Sequence, residues 1–285
     1  MRKELDFESE FLRRQPKRKQ IVRFMREAMG VEHVTWDMLT KVNLIDVADH
    51  IKGTCSPNSA KTYFAIISAF LKLYQEEGIV PCRHPEEVLK CKKVPQQSVC
   101  LTEEEVACIQ AYYDNLVNSG GSRCVVDVLT MFLIECYTGA RYSDVCRLTM
   151  NNITDGTLSY VSQKTFTLTE LPVHSRLREL IGRIPKQKYY QMTVNRILKR
   201  VAKECGINTP TTLFYHGAQR TMPKYEYISS HSGRKSFCTA LARRGVDIYT
   251  IAALAGHGQN ITMTQRYIIS DTARVSQQAM AFFQN

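Results

Sequence analysis

The sequence predicts a mainly α-helical protein of two domains, with a small antiparallel β-sheet in the second. Three observations carry that expectation. Apolar residues recur at helical spacing through residues 17–29 and 56–78, a proline-bearing stretch without sustained period runs around residues 90–98, and the tight-turn pair Asp155-Gly156 is followed by strand-forming TLSYVSQK. A chain of 285 residues is long enough to bury two cores.

The elements follow in order. KRKQIVRFMREAM places Ile21, Phe24, Met25 and Met29 on one face and its basic residues on the other. WDMLTKVNLIDVADHI predicts a second helix. The third has Ser56 as N-cap, Pro57 in its first turn and Gly78 as its stop. Its stripe of Ala60, Tyr63, Phe64, Ile67, Phe70, Leu71 and Tyr74 has the spacing of one packed face, which assigns those aromatics to a core rather than to a base-stacking surface. PCRHPEEVLKCKKVPQQSVC then carries three prolines, so a helical domain of residues 1–90 is expected to meet a second domain, 99–285, through a linker at 91–98. Thr102 followed by Glu105 is a capping-box signature that opens the second domain. CVVDVLTMFLIECY, residues 124–137, reads as a buried helix, and the sheet is expected between residues 151 and 174. Helices resume with SRLRELIGRI and TVNRILKRVAKEC and dominate from Ser229 onward.

Composition narrows the function. A hydrophobic fraction of 44% with 23% charged residues and no apolar run of about 20 residues predicts no membrane span. MRKELDFESEFLRRQ alternates charge and lacks the apolar core of a secretory leader, so a cytoplasmic protein is expected. The ten cysteines form no CxxC pair, which predicts reduced thiols and no metal or other cofactor. The net charge of +11 favours a polyanionic partner. Seventeen basic residues stand against 13 acidic up to residue 95, and 21 against 14 beyond it, so either domain could face phosphate.

Four segments of the second domain carry polar residues that packing does not explain. In TGARYSDVCRL, Gly139 permits a turn and Arg141 falls at a helix start, where free backbone N–H groups favour an anion; the alternative is a surface ion pair with Asp144. Lys164 lies in or beside the turn between the two expected strands. In HSGRKSF, His231 and Arg234 sit three apart at a helix opening and share a face. LAGHGQNITMTQRYI offers His257 and, ten positions later, Tyr267.

In this order and context, Arg, Lys, His, Arg, His and Tyr resemble the tyrosine recombinase/integrase family. TGARYSD matches that family's TG-x-R with an acid three later, HSGRKSF its H-x-x-R, LAGHG its LGH, and TQRYI its tyrosine segment. Gly233 departs from the pattern, standing where an apolar residue usually precedes the arginine, at about 1 kcal/mol of helix propensity relative to Ala. The resemblance implies a two-domain DNA clamp with a recombinase-like catalytic fold. It further implies a double-stranded DNA substrate, four protomers around two DNA sites, and room for accessory DNA-bending proteins. By the same resemblance Arg141, Arg234 and His257 would bind the scissile phosphate, Lys164 would protonate the leaving 5′ oxygen, His231 would assist as base, and Tyr267 would attack. A 3′-phosphotyrosyl linkage would conserve the phosphoester, so no ATP or metal is expected. The alternatives are type IB topoisomerase-like strand relaxation and a DNA-binding protein without catalysis. The tail from Ile268 to Asn285, ending in apolar AMAFF, is left to pack on its own subunit or on a neighbour.

Overall fold

The computed structural model describes residues 6–94, 99–215, 218–258 and 261–269, and the chain divides into two compact units with the main break between residues 96 and 97. The first unit is helical: α1 (Phe7–Arg14), α2 (Lys19–Met29), α3 (Lys41–Thr54), α4 (Pro57–Gln75) and the single turn α5 (Pro85–Val88). In α4 the Ser56 hydroxyl accepts from the Ser59 N–H at 3.3 Å, and the helix ends at Gln75, three residues before Gly78. Six of the seven stripe residues are buried, Tyr63 partly so.

Helix α1 was not legible in the sequence. Its apolar face is short: Phe7 and Phe11, both fully buried beside Phe70, with Leu12 partly buried against the same core. Between them Glu8 and Glu10 are also buried, which a hydrophobic pattern does not anticipate. Glu8 accepts from Arg26 Nε at 2.8 Å and from the Val34 N–H at 2.8 Å. Arg13, Arg14 and Tyr74 surround Glu10, and Arg13 foremost holds its carboxyl well below the usual range. Buried carboxylates survive only with such partners.

The second unit opens with α6 (Glu103–Asn118), whose Thr102–Glu105 capping box is formed in both directions. The buried helix α7 (Arg123–Thr138) follows, then the single turn α8 (Tyr142–Val145). Three short antiparallel strands, β1 (Ile153–Thr154), β2 (Thr157–Val161) and β3 (Leu168–Pro172), pair in the order β1-β2-β3, with Tyr160 opposite Thr169. After α9 (Ser175–Gly182) and α10 (Gln191–Glu204) comes a hairpin that the sequence reading did not anticipate, β4 (Pro210–Tyr215) with β5 (Ala218–Pro223). Its cross-strand contact is a pair of exposed hydroxyls, Thr212 and Thr221, 2.7 Å apart, so it leaves no alternating apolar signal. Helices α11 (Ser230–Arg243), α12 (Ile248–Leu254) and α13 (Ile261–Ile269) complete the described chain. The tail beyond residue 269 lies outside the described residues.

Helix α11 lies against α7, and Gly233 explains how closely. A Cβ built there would fall 2.9 Å from Glu135 Cβ and 3.2 Å from the Phe132 backbone oxygen. The glycine that weakens helix propensity is therefore what lets the two helices meet. Neither neighbouring atom is the far end of a flexible chain, so strain should outweigh the propensity gain. Gly233→Ala is expected to lower unfolding stability by about 1–3 kcal/mol, read as a shifted urea midpoint at unchanged slope.

Candidate active site

Helix α7 is stopped by Gly139 at φ +66°, where a Cβ would sit 2.5 Å from the Phe237 ring. That left-handed turn delivers Arg141 as the N-cap of α8. Arg141 Nη1 donates to the Ser162 hydroxyl at 2.8 Å and to the Gly256 carbonyl at 3.4 Å. Asp144 lies 3.9 Å from Arg141, a distant partner, and it is buried rather than on the surface. It accepts from Ser162 Oγ at 3.1 Å, from the Gln163 N–H at 2.9 Å and from Arg147 at 3.1 Å. Its task is to fasten the β2–β3 hairpin to α8, and so to fix the turn from which the exposed Lys164 projects.

Helix α11 supplies the next pair. The reciprocal Ser229–Ser232 capping box starts it, leaving His231 exposed and Arg234, three residues on, 1% exposed. Arg234 Nη1 donates to the Gly139 carbonyl at 2.6 Å, while its buried Nη2 has no partner. One guanidinium edge is thus anchored to the turn that presents Arg141, and the other is unspent.

The segment after α12 supplies the last pair. Gly256, at φ +61°, sits where a Cβ would press within 2.7 Å of Thr169 Oγ1, and its carbonyl accepts from Thr165 Oγ1 at 3.0 Å. His257 follows, 3% exposed, with Nδ1 2.8 Å from Thr264 Oγ1 and Nε2 buried without a partner. The Tyr267 ring is 8% exposed and its centroid is 5.6 Å from that of His257. The α13 backbone is tied to α11 by Thr239 Oγ1 donating to the Tyr267 carbonyl at 3.4 Å.

Contacts thus bring Arg141, Arg234, His257 and Tyr267 to one set of turns and helix ends, while the exposed His231 acts electrostatically on His257, and the exposed Lys164 on His231. Burial first, then Arg234, Arg141 and His231, push His257 down to about 3. Burial, Arg234, Arg141 and Lys164 lower His231 as well. Burial and the neighbouring Arg234 disfavour even the charge on Arg141. Both imidazoles are thus shifted toward their neutral forms, and two guanidinium groups lie close enough to disfavour each other's charge while Arg234 Nη2 and His257 Nε2 have no hydrogen-bond partner. A tetrahedral oxyanion fits that need in charge and hydrogen bonding. Sequence reasoning missed Ser162, Thr264 and Glu135. Glu135 is buried beneath Gly233 with neither carboxyl oxygen partnered, and burial pushes it well above the carboxylate range. No motif marked these three. The signal for Asp144 was present in TGARYSD but admitted a surface reading.

Among the described residues no three His, Cys, Asp or Glu side chains gather as metal ligands, and no helix is long and apolar enough to cross a membrane. The sequence profile of the phage integrase family matches residues 100–274. A lambda integrase dimer bound to a COC′ core site superposes with a TM-score of 0.62 at 19% identity, over 93% of this chain and 77% of that one. A lambda integrase tetramer bound to a Holliday junction gives 0.62 at 19%, over 92% and 77%. The Tn1549 transposon integrase in complex with transposon right end DNA gives 0.62 at 16%, over 96% and 94%. At these identities the structures establish a shared fold. No curated protein matches the chain significantly.

The low His257 pKa has a sign that can be tested. The unfolded chain takes up this proton near pH 6.5, whereas the folded protein refuses it until about pH 3. The resulting stabilisation is complete above pH 6.5 and is lost as pH falls toward 3. His257→Gln, which cannot titrate, should therefore lose less stability than the wild type between pH 7 and 5 in urea titrations; equal losses would contradict a depressed pKa.

Proposed function

Because the chain belongs to the phage integrase family, the tyrosine recombinases that cleave and rejoin DNA at specific sites, we propose that the gathered side chains perform that reaction with Tyr267 as nucleophile. Tyr267 Oη attacks the scissile phosphorus, the bond from phosphorus to the 5′ oxygen breaks, and the products are a 3′-phosphotyrosyl linkage and a free 5′ hydroxyl. The observation that carries this reading is the pair of buried, partnerless groups, Arg234 Nη2 and His257 Nε2, beside the turn that Arg141 binds and the ring of Tyr267.

Each group then has a task suited to its state. Arg141 and Arg234 neutralise charge developing on the non-bridging oxygens. His257 is held uncharged by its surroundings, so it serves as a hydrogen-bond donor through Nε2 when the Thr264 hydroxyl donates to Nδ1, the arrangement that leaves the ring proton on Nε2. His231, also shifted toward its neutral form, receives the phenolic proton. Lys164 gives a proton to the departing 5′ oxygen. Rejoining runs the same steps backward with a 5′ hydroxyl from another duplex, so the phosphoester is conserved and no nucleotide is consumed.

The partner in this reading is double-stranded DNA in the cytoplasm, with four protomers around two sites. The helical domain of residues 1–90 grips the same duplex as the catalytic domain 99–285, and much of the affinity is electrostatic and salt-sensitive.

The test uses a pool of duplexes with a randomised core, lightly nicked so that cut ends diffuse away, with adducts trapped in detergent. Wild-type protein should accumulate covalent protein–DNA adduct, and Tyr267→Phe should bind DNA yet form none. Arg234→Ala should retain binding and lose cleavage by roughly 10²-fold or more. Lys164→Ala should be slow on ordinary DNA and recover on a bridging 5′-phosphorothiolate, whose leaving thiolate needs no proton donor. Adduct formed by Tyr267→Phe would remove Tyr267 from the reaction.

A further inference from the structure

Phe166, two residues beyond Lys164, stands in a conformation that packing does not explain. Its φ is +53°, in the left-handed region that a bulky side chain enters only under strain. It is also 83% exposed, so burial of the ring offsets none of that strain. Among the described residues the other non-glycine at positive φ, Asp155, is a short polar residue in a tight turn, where the conformation is ordinary.

The surroundings of Phe166 hold it in place. Its N–H donates to the Ser162 carbonyl at 2.8 Å, and the Ser162 N–H donates to the Thr167 carbonyl at 2.9 Å, closing the turn twice. On one side Ser162 Oγ is bound by Arg141 and Asp144. On the other, Thr165 is bonded to the Gly256 carbonyl and Thr167 abuts Gly258, where a Cβ would lie 3.0 Å from Thr167 Oγ1. The aromatic ring is thus presented to solvent from a turn clamped between the Arg141 turn and the His257 segment. Strain sustained by so many restraints, at the rim of a reactive pocket, points to function.

We propose that Phe166 contacts the DNA bases directly, wedging into the base step that flanks the scissile phosphate and thereby setting where the strand is cut. The inference rests on the reading of Lys164 as the group that meets the leaving oxygen, because a ring two residues from that amine faces the nucleotides on either side of the break. Every base offers a π-face, and an inserted apolar side chain unstacks a step. A rigidly held aromatic is suited to that insertion.

The experiment uses the full chain and a duplex recovered from the trapped adducts. Glycine adopts positive φ without strain, so Phe166→Gly should raise the thermal midpoint while adduct formation falls roughly tenfold, the loss expected from one base–aromatic stack. Replacing a base beside the cut with an abasic residue unstacks the step beforehand and should restore most of the lost rate, and Phe166→Trp should cleave the intact duplex as the wild type does. Wild-type cleavage by Phe166→Gly on intact DNA would overturn the inference, as would a loss that the abasic substrate does not restore. Absence of adduct with wild-type protein on every duplex would instead overturn the reading of the site itself.

Discussion

Everything in the second unit is arranged around holding two like charges together out of water. Arg234 is almost wholly buried and Arg141 mostly so, and each disfavours the charge of its neighbours. Such a pair is unstable unless the scaffold is stiff, since each guanidinium would otherwise swing toward solvent or a carboxylate. The protein answers with backbone and hydroxyl acceptors, the Gly139 and Gly256 carbonyls and the Ser162 hydroxyl, which fix direction without cancelling charge. The Glu135 carboxyl, on which Arg234 acts, is buried where the uncharged form is favoured. Asp144, 3.9 Å from Arg141, offsets part of that charge, and the anion that neutralises the rest is left to be supplied from outside.

That stiffness rests on close approach at glycines. Gly233 brings α11 against α7, Gly139 turns the chain beneath Phe237, and Gly256 seats the His257 segment against Thr169. Each of the three lies within three residues of a pocket side chain. The lost helix propensity at Gly233 is small beside the positional accuracy that phosphoryl transfer requires, where displacement by about 1 Å costs orders of magnitude in rate.

The helical stripes, the Thr102 cap, the β2–β3 hairpin and the six candidate residues were legible because each depends on local periodicity or on a short ordered motif. What could not be read depends on long-range pairing. Helix α1 buries only Phe7 and Phe11 fully, with Leu12 partly buried beside them, and its buried glutamates make sense only beside Arg26 and Tyr74, 18 and 64 residues away. In the β4–β5 hairpin, β4 carries its apolar residues as the consecutive run Leu213, Phe214, Tyr215 and not in alternation. Ser162 and Thr264 carry no distinctive spacing, and the buried state of Asp144 follows from the hairpin that folds over it. Gly233 looked like a local fault because its reason lies on another helix.

Asp144 shows what would have to be carried along if this chemistry were moved to another protein. It meets no phosphate in the proposed reaction, yet through Ser162, Gln163 and Arg147 it couples the α8 turn to the hairpin. An engineer transplanting six side chains onto a new DNA-binding scaffold would leave that coupling behind. The smallest portable unit is instead the α7–α8 turn together with the β2–β3 hairpin, folded as one piece around a single carboxylate.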